Sequence, residues 1–229
     1  MNPMNESTII HAILNLGILV FSLSLHEFGH AYAAYRLGDP TAKMLGRLTI
    51  DPRAHADLIG TILIPLLMIL NPGLRLFGWA KPVPVTPENF QKPRRDGALV
   101  ALAGPSANVF LCLCVLAILS ILDLTGFMGL SEDNLIILLE FLRTFFWLNF
   151  VLAVFNLIPL YPLDGNWILK YFLPPKLSYS FSQMDRYSGI LLLVIFMVGG
   201  FNVLYFPLEH GLYALMHLVG MGRLSNMIF

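Results

Sequence analysis

The chain has 229 residues, 57% of them hydrophobic and only 12% charged, and its mean hydropathy is +0.72. Soluble domains average about 25% charged and 45–50% apolar residues, so a soluble globular domain is excluded and an integral membrane protein is indicated. Lys plus Arg and Asp plus Glu each number 14, so bulk charge points to no nucleic-acid or other polyionic partner.

The start, MNPMNESTII, carries Glu6 and no Lys or Arg. A cleaved signal peptide wants a basic beginning, so the first apolar run, Ile9–Tyr35, is expected to stay in place. That run contains Ser24-Leu25-His26-Glu27-Phe28-Gly29-His30. A charged group near mid-bilayer costs roughly 2.5–3.5 kcal/mol on insertion scales, so such residues usually have a function. His26 and His30 are four apart and share one helix face, from which both reach a single metal. In H-E-x-x-H the imidazoles bind zinc and the glutamate, here Glu27, acts as general base. The plainer alternative is two interfacial histidines with an incidental glutamate, which gives no reason for the spacing.

The next stretch is basic: Arg36, Lys43, Arg47, Arg53, Arg75, Lys81, Lys92, Arg94 and Arg95 all precede the second long apolar run. Within it, Leu58–Leu70 is short, interrupted by Pro65 and flanked by basic residues on both sides. It reads as a re-entrant or interfacial helix rather than a crossing. Lys43–Ile50 has weak strand character, and His55 reads as structural or interfacial. Trp79-Ala80-Lys81-Pro82-Val83-Pro84-Val85-Thr86-Pro87 is expected to be extended, because its prolines forbid a helix interior and suit an edge. Such an edge offers a place to hold a straightened peptide.

Two further spans are predicted at Gly97–Leu122 and Leu135–Ile158. The first carries Leu102-Ala103-Gly104-Pro105-Ser106-Ala107-Asn108, small residues that suit close helix packing and so position a site. It also holds Cys112 and Cys114, whose i,i+2 spacing fits neither a zinc knuckle nor a disulfide; they read as packing thiols. Glu140 and Arg143 read as an intrahelical pair. The intervening loop, Asp123–Asn134, has three acidic residues and no basic one, whereas Lys170, Lys176 and Arg186 follow the later span. The positive-inside rule then puts the N-terminus outside and the loops around 36–96 and 166–186 in the cytoplasm. His26 and His30 fall near the cytoplasmic side.

A catalytic zinc wants a third protein ligand and an open position. Acidic candidates at the cytoplasmic ends of the spans are Asp96, Asp164 and Asp185. Asp96 sits among Lys92, Arg94 and Arg95, and Asp185 beside Arg186, so both look like solvated interface charges. Asp164 lies in Asn156-Leu157-Ile158-Pro159-Leu160-Tyr161-Pro162-Leu163-Asp164-Gly165, an apolar helix broken by two prolines. Such breaks are tolerated at membrane depth only inside protein or beside a wet cavity; an Asp-Gly pair is equally a common turn. Asn156, two turns earlier, is a candidate for steadying an oxyanion, or else for a helix–helix hydrogen bond. A fourth span is predicted at Tyr187–Leu208, with His210–Val219 undecided. His11, His210 and His217 have no assigned role.

The segments around His26–His30, Phe77–Val85, Leu102–Asn108 and Asn156–Gly165, in that order, resemble the site-2 protease family of intramembrane zinc metalloproteases, peptidase family M50. The likeness is to its short, minimal branch without PDZ or CBS domains. The resemblance implies that His26, His30 and Asp164 hold one zinc per chain, that Glu27 is the base, and that Asn156 supports the transition state. The chain departs from many relatives at Asn166-Trp167, where they have a small or basic pair, and this bears on substrate fit. The expected protein is an all-α polytopic membrane protein, one domain over residues 1–229, with about four spanning helices, a re-entrant or interfacial segment and short strand-like loops near the site. Its expected activity is hydrolysis of peptide bonds in or near transmembrane segments of membrane-protein substrates, in a bacterial plasma membrane, with the site toward the cytoplasm. The alternative is a non-catalytic membrane protein that binds metal or holds clients.

Overall fold

The computed structural model describes residues 6–70, 79–126, 129, 131–198, 200–218, 222–223 and 227. Arg75, Phe77, Gly78 and Val219, and the side chain of His11, lie outside the described residues. The described chain is helical and contains no strand, the all-α membrane fold expected from its composition. Among the described residues, three helices are long and apolar enough to cross a membrane: α1 (Glu6–Arg36, of which Ile13–Arg36 qualifies), α5 (Pro93–Leu124) and α6 (Glu132–Asn156). α5 is the hub, with α1 against one side, α6 against another and α7 (Asp164–Phe172) across its start.

α1 stops at Arg36, where Gly38 takes φ 107°, a left-handed conformation open to glycine. Asp39 N–H then folds back to the Ala34 carbonyl at 2.9 Å. Two single-turn helices follow, α2 (Thr41–Met44) and α3 (Pro52–His55). Lys43–Ile50 is therefore not a strand: it leaves α2 through a turn at Gly46, whose φ is 69°. Leu58–Leu63 is a π-helical turn that runs into α4 (Ile64–Leu70). At about 1.5 Å per residue these 13 residues reach roughly 20 Å, short of a 30 Å hydrocarbon core.

After α6 the chain breaks at Leu157–Leu163 and restarts as α7. Gly165 makes the restart possible, because a Cβ there would collide with the carbonyls of Leu157 and Ile158. α8 (Pro175–Ser182) then leads to α9 (Asp185–Met197) and α10 (Gly200–Leu218). The run predicted as one span at Tyr187–Leu208 is thus two helices, and the sequence places a glycine pair, Gly199-Gly200, at their junction. Together they connect opposite ends of the bundle: Asp185 bonds Lys170 near α7, and Arg223 pairs with Asp123 at the far end of α5, 3.6 Å away.

The main apolar cluster lies toward that far end. Cys112, Val115 and Leu119 of α5 meet Leu142 and Phe146 of α6 and Met216 of α10. Cys112 is a packing thiol whose Sγ faces the Phe146 carbonyl at 3.5 Å, and both cysteines are free.

Candidate metal centre

His26 and His30 sit one turn apart on α1, both buried, with their imidazoles facing α5. The contact requires Gly104: a Cβ there would strike both rings. Gly29, on the same helix, similarly clears the Ala103 carbonyl, which a Cβ would approach to 2.8 Å. The small residues read from the sequence as packing positions are thus what brings the two helices within reach.

Each imidazole is oriented by a hydrogen bond through Nδ1. His30 Nδ1 donates to the Val100 carbonyl at 2.7 Å. A carbonyl only accepts, so the proton is on Nδ1 and the Nε2 lone pair is free. His26 Nδ1 donates to Asn108 Oδ1 at 2.7 Å. The Asn108 amide is held that way round because its Nδ2 donates to Asn149 Oδ1 at 2.9 Å. Asn149 Nδ2 in turn donates to Ser22 Oγ at 3.0 Å and to the Phe145 carbonyl at 2.9 Å. Asn108 and Asn149 are fully buried. In an apolar interior an unpaired amide is costly, so this closed relay fixes a single orientation. Asn149 is a site residue that the sequence reading missed. A buried amide in the middle of an apolar span, seven residues before Asn156, was the available signal.

Asp164 completes the cluster from the first turn of α7, where the helix dipole favours a carboxylate. Its Oδ2 lies 3.2 Å from His26 Nε2 and its Oδ1 3.3 Å from His30 Nε2. The two Nε2 atoms are 3.0 Å apart. With both imidazoles neutral, the form that binds metal, and protonated on Nδ1, two lone pairs converge on the carboxylate, and Asp164 Oδ2 is buried without a hydrogen bond. Three acceptors in this arrangement repel one another unless a cation joins them. All three ligating atoms lie within 4.8 Å of one another, and two nitrogens with one oxygen suit zinc. The residues fit the metal.

Glu27 lies beside the cluster, nearly buried, and its Oε2 accepts the Val83 N–H at 2.9 Å. That bond belongs to a strap, residues 79–86, tied down along its length. Trp79 packs on Gly60 and its carbonyl accepts Thr61 Oγ1 at 2.8 Å. Lys81 N–H donates to the His55 carbonyl at 2.9 Å, and Thr86 N–H to Asp39 Oδ2 at 2.7 Å. Asp39 also accepts from Thr41 and Asn89. Burial pushes its carboxyl up, but these bonds outweigh burial and hold it below the usual carboxylate range. His55, itself buried and bonded to the Thr49 carbonyl, is structural.

The other acidic candidates are placed differently from expectation. Asp96 is not solvated but 1% exposed, accepting the Lys92 N–H at 2.9 Å and pairing with Arg95 at 2.7 Å. It caps α5 because the first turn of that helix has N–H groups to satisfy. Asp185 binds Lys170 and Asn166. Neither belongs to the cluster. Asn156 lines the same cavity as Glu27 and Asp164, with its Nδ2 donating to the Leu152 carbonyl at 2.9 Å.

The family model described as Peptidase family M50 matches residues 13–132 and 120–197. The chain belongs to peptidase family M50. It is 42% identical over 178 residues to "Putative zinc metalloprotease YwhC" of Bacillus subtilis, covering 78% of this chain and 77% of the relative. It is 31% identical over 194 residues to "Putative zinc metalloprotease Rip2" of Mycobacterium tuberculosis, covering 85% and 70%. The corresponding Rip2 of Mycolicibacterium smegmatis is 30% identical over 199 residues, covering 86% and 72%. No solved structure matches the chain significantly. Membership in M50 and these zinc-metalloprotease relatives support a membrane-embedded metalloprotease that uses zinc.

Proposed function

We propose that this chain is an intramembrane endopeptidase that holds one zinc on His26, His30 and Asp164 and cuts peptide bonds in or near transmembrane segments of membrane proteins. One observation carries the reading: His26 and His30 of a helix long enough to span a membrane converge with Asp164 of α7, and the Glu27 carboxylate stands beside them. A zinc held here would supply Lewis acidity that lowers the pKa of water toward neutrality.

The chain's own residues supply the rest. Glu27 takes the proton from the attacking water and delivers it to the leaving amine nitrogen. The Val83 N–H holds its carboxylate in place. Asn156 lines the cavity beside Asp164, and we assign it to support of the developing oxyanion.

A helical substrate has to be straightened before its carbonyl is exposed, and the strap suits that task. In an extended segment alternate residues turn their N–H and C=O to the same edge. Pro82 and Pro84 therefore lack donors on one edge only, and Val83 and Val85 occupy the other. The Val85 N–H makes no hydrogen bond among the described residues, so it offers a pairing point for an added strand. Basic loops on both sides of the site support a cavity that faces the cytoplasm, and the Bacillus and Mycobacterium relatives fit a bacterial plasma membrane.

The test is Glu27→Gln, assayed for zinc content and for cleavage of a detergent-solubilised single-span substrate. The expected variant keeps its zinc and loses cleavage. If it kept both zinc and all function, a metal-binding or client-holding role would replace the endopeptidase reading.

A further inference from the structure

Asn166-Trp167, the pair that follows Asp164-Gly165, is split by the fold. Asn166 turns inward: it is fully buried, and its Nδ2 donates to Asp185 at 3.0 Å. Trp167, the next residue, is 47% exposed and lines the cavity that contains Glu27 and the metal cluster. That cavity has a volume of about 320 Å³ and a mixed lining. His26, Glu27, His30, Asn156 and Asp164 are polar contributors, and Val85, Phe90, Gly97, Val100 and Trp167 are apolar ones.

The apolar lining is firmly held. Phe90 and Val100 are 5% exposed and belong to a packed cluster with Ala34, against which Val85 rests. Trp167 stands on a helix fastened at both ends. Gly165 seats its first turn on the carbonyls of Leu157 and Ile158, and one Arg94 nitrogen reaches the carbonyls of Lys170, Tyr171 and Leu173. Lys170, locked to Asp185 at 2.5 Å, places its ammonium 5.6 Å from the Trp167 ring centre. Opposite the indole stands Gly97, where a Cβ would meet only Trp167, at 3.8 Å. The ring thus lies close over bare helix backbone and closes that side of the cavity.

We propose that the apolar part of this cavity, walled by Trp167 where it lies over Gly97, is a side-chain subsite that selects a medium-sized aliphatic residue of the substrate next to the scissile bond. The inference rests on the endopeptidase reading and adds the substrate class. A peptide bond at the metal cluster and an extended chain along Val83–Val85 bring a neighbouring side chain against the apolar lining. Such pockets discriminate by size, because a missing or surplus methylene changes specificity by roughly 10–200-fold. The indole sets the width: a smaller residue at 167 enlarges the cavity, and a larger one at 97 pushes the ring into it.

The experiment uses the full chain in detergent with synthetic single-span peptides. Each peptide has an Ala/Leu-rich segment of about 20 residues and Ala, Val, Leu, Phe or Trp at each position in turn around the cut. Zinc content is measured alongside for wild type, Trp167→Ala and Gly97→Leu. Wild type should prefer Leu or Val at one position beside the cut. Trp167→Ala should move that position toward Phe and Trp by about 10-fold or more, and Gly97→Leu toward Ala by a similar factor. Should Trp167→Ala lose zinc, the Gly97→Leu shift decides alone. Unchanged preference in a zinc-loaded variant that still cuts would overturn the subsite while leaving the protease intact. A wild type that holds zinc and cuts none of the peptides would overturn the endopeptidase reading, and the subsite with it.

Discussion

Along α5, the turn at Gly104 and the turn at Val115 are built from opposite materials. Near Gly104 the helix lies against two imidazoles and, through Asn108, a relay of buried amides. Near Val115 it lies against Leu142, Phe146 and Met216. In a bilayer the second kind of contact gains little from apolarity, since lipid is as apolar as leucine; it stabilises through packing. The first kind is costly unless every donor finds an acceptor, and so it enforces geometry. The difference teaches that damage near Gly104 should be read out in zinc, and damage near Val115 in stability.

The largest expected effect on zinc among substitutions along this axis is Gly104→Val. The added branches have to displace His26 and His30, so zinc affinity should fall by about 100-fold or more, as measured by competition with a chelator. Retention of wild-type affinity would show that the imidazoles do not need the close approach of α5.

Asn149→Leu comes next. It contacts no ligand directly, yet it removes the group that keeps the Asn108 oxygen turned toward His26. Loss of an orienting partner typically costs 10–100-fold in metal affinity, and the same competition measurement should find a value of roughly that size. A loss of thermal stability with unchanged zinc affinity would reduce the relay to a packing device.

Leu119→Ala is the counterpart on the apolar side. Leu119 is 1% exposed, and removing its buried methyls should destabilise the fold through lost packing, by about 24 cal/mol per Å³ of cavity left behind. Unfolding in detergent should report that loss while zinc stays at the wild-type stoichiometry. Zinc lost at 25 °C from a folded Leu119→Ala protein would break the separation between the two halves.

The contrast also explains which parts of the molecule were legible in the sequence. His26, Glu27 and His30 are local: their relation is set by helix periodicity, so spacing alone reveals it. Asp164 was legible because two prolines mark a break in an apolar run. Asn149 and the purpose of Gly104 were not, because each acts on a partner more than 40 residues away in the chain. Asp96 was misread for a similar reason. Its basic neighbours suggest solvent, whereas its carboxylate folds back to cap its own helix. Lys43–Ile50 suggested a strand, but Asp39 and Gly46 impose a turn that strand propensity does not register.

The account stands on the convergence of His26, His30 and Asp164 on one metal. The most direct test is zinc per chain in detergent-purified protein, wild type beside Asp164→Ala. About one zinc in the wild type and a marked loss in the variant is the predicted result. Zinc held as tightly without Asp164 as with it would contradict the three-ligand site.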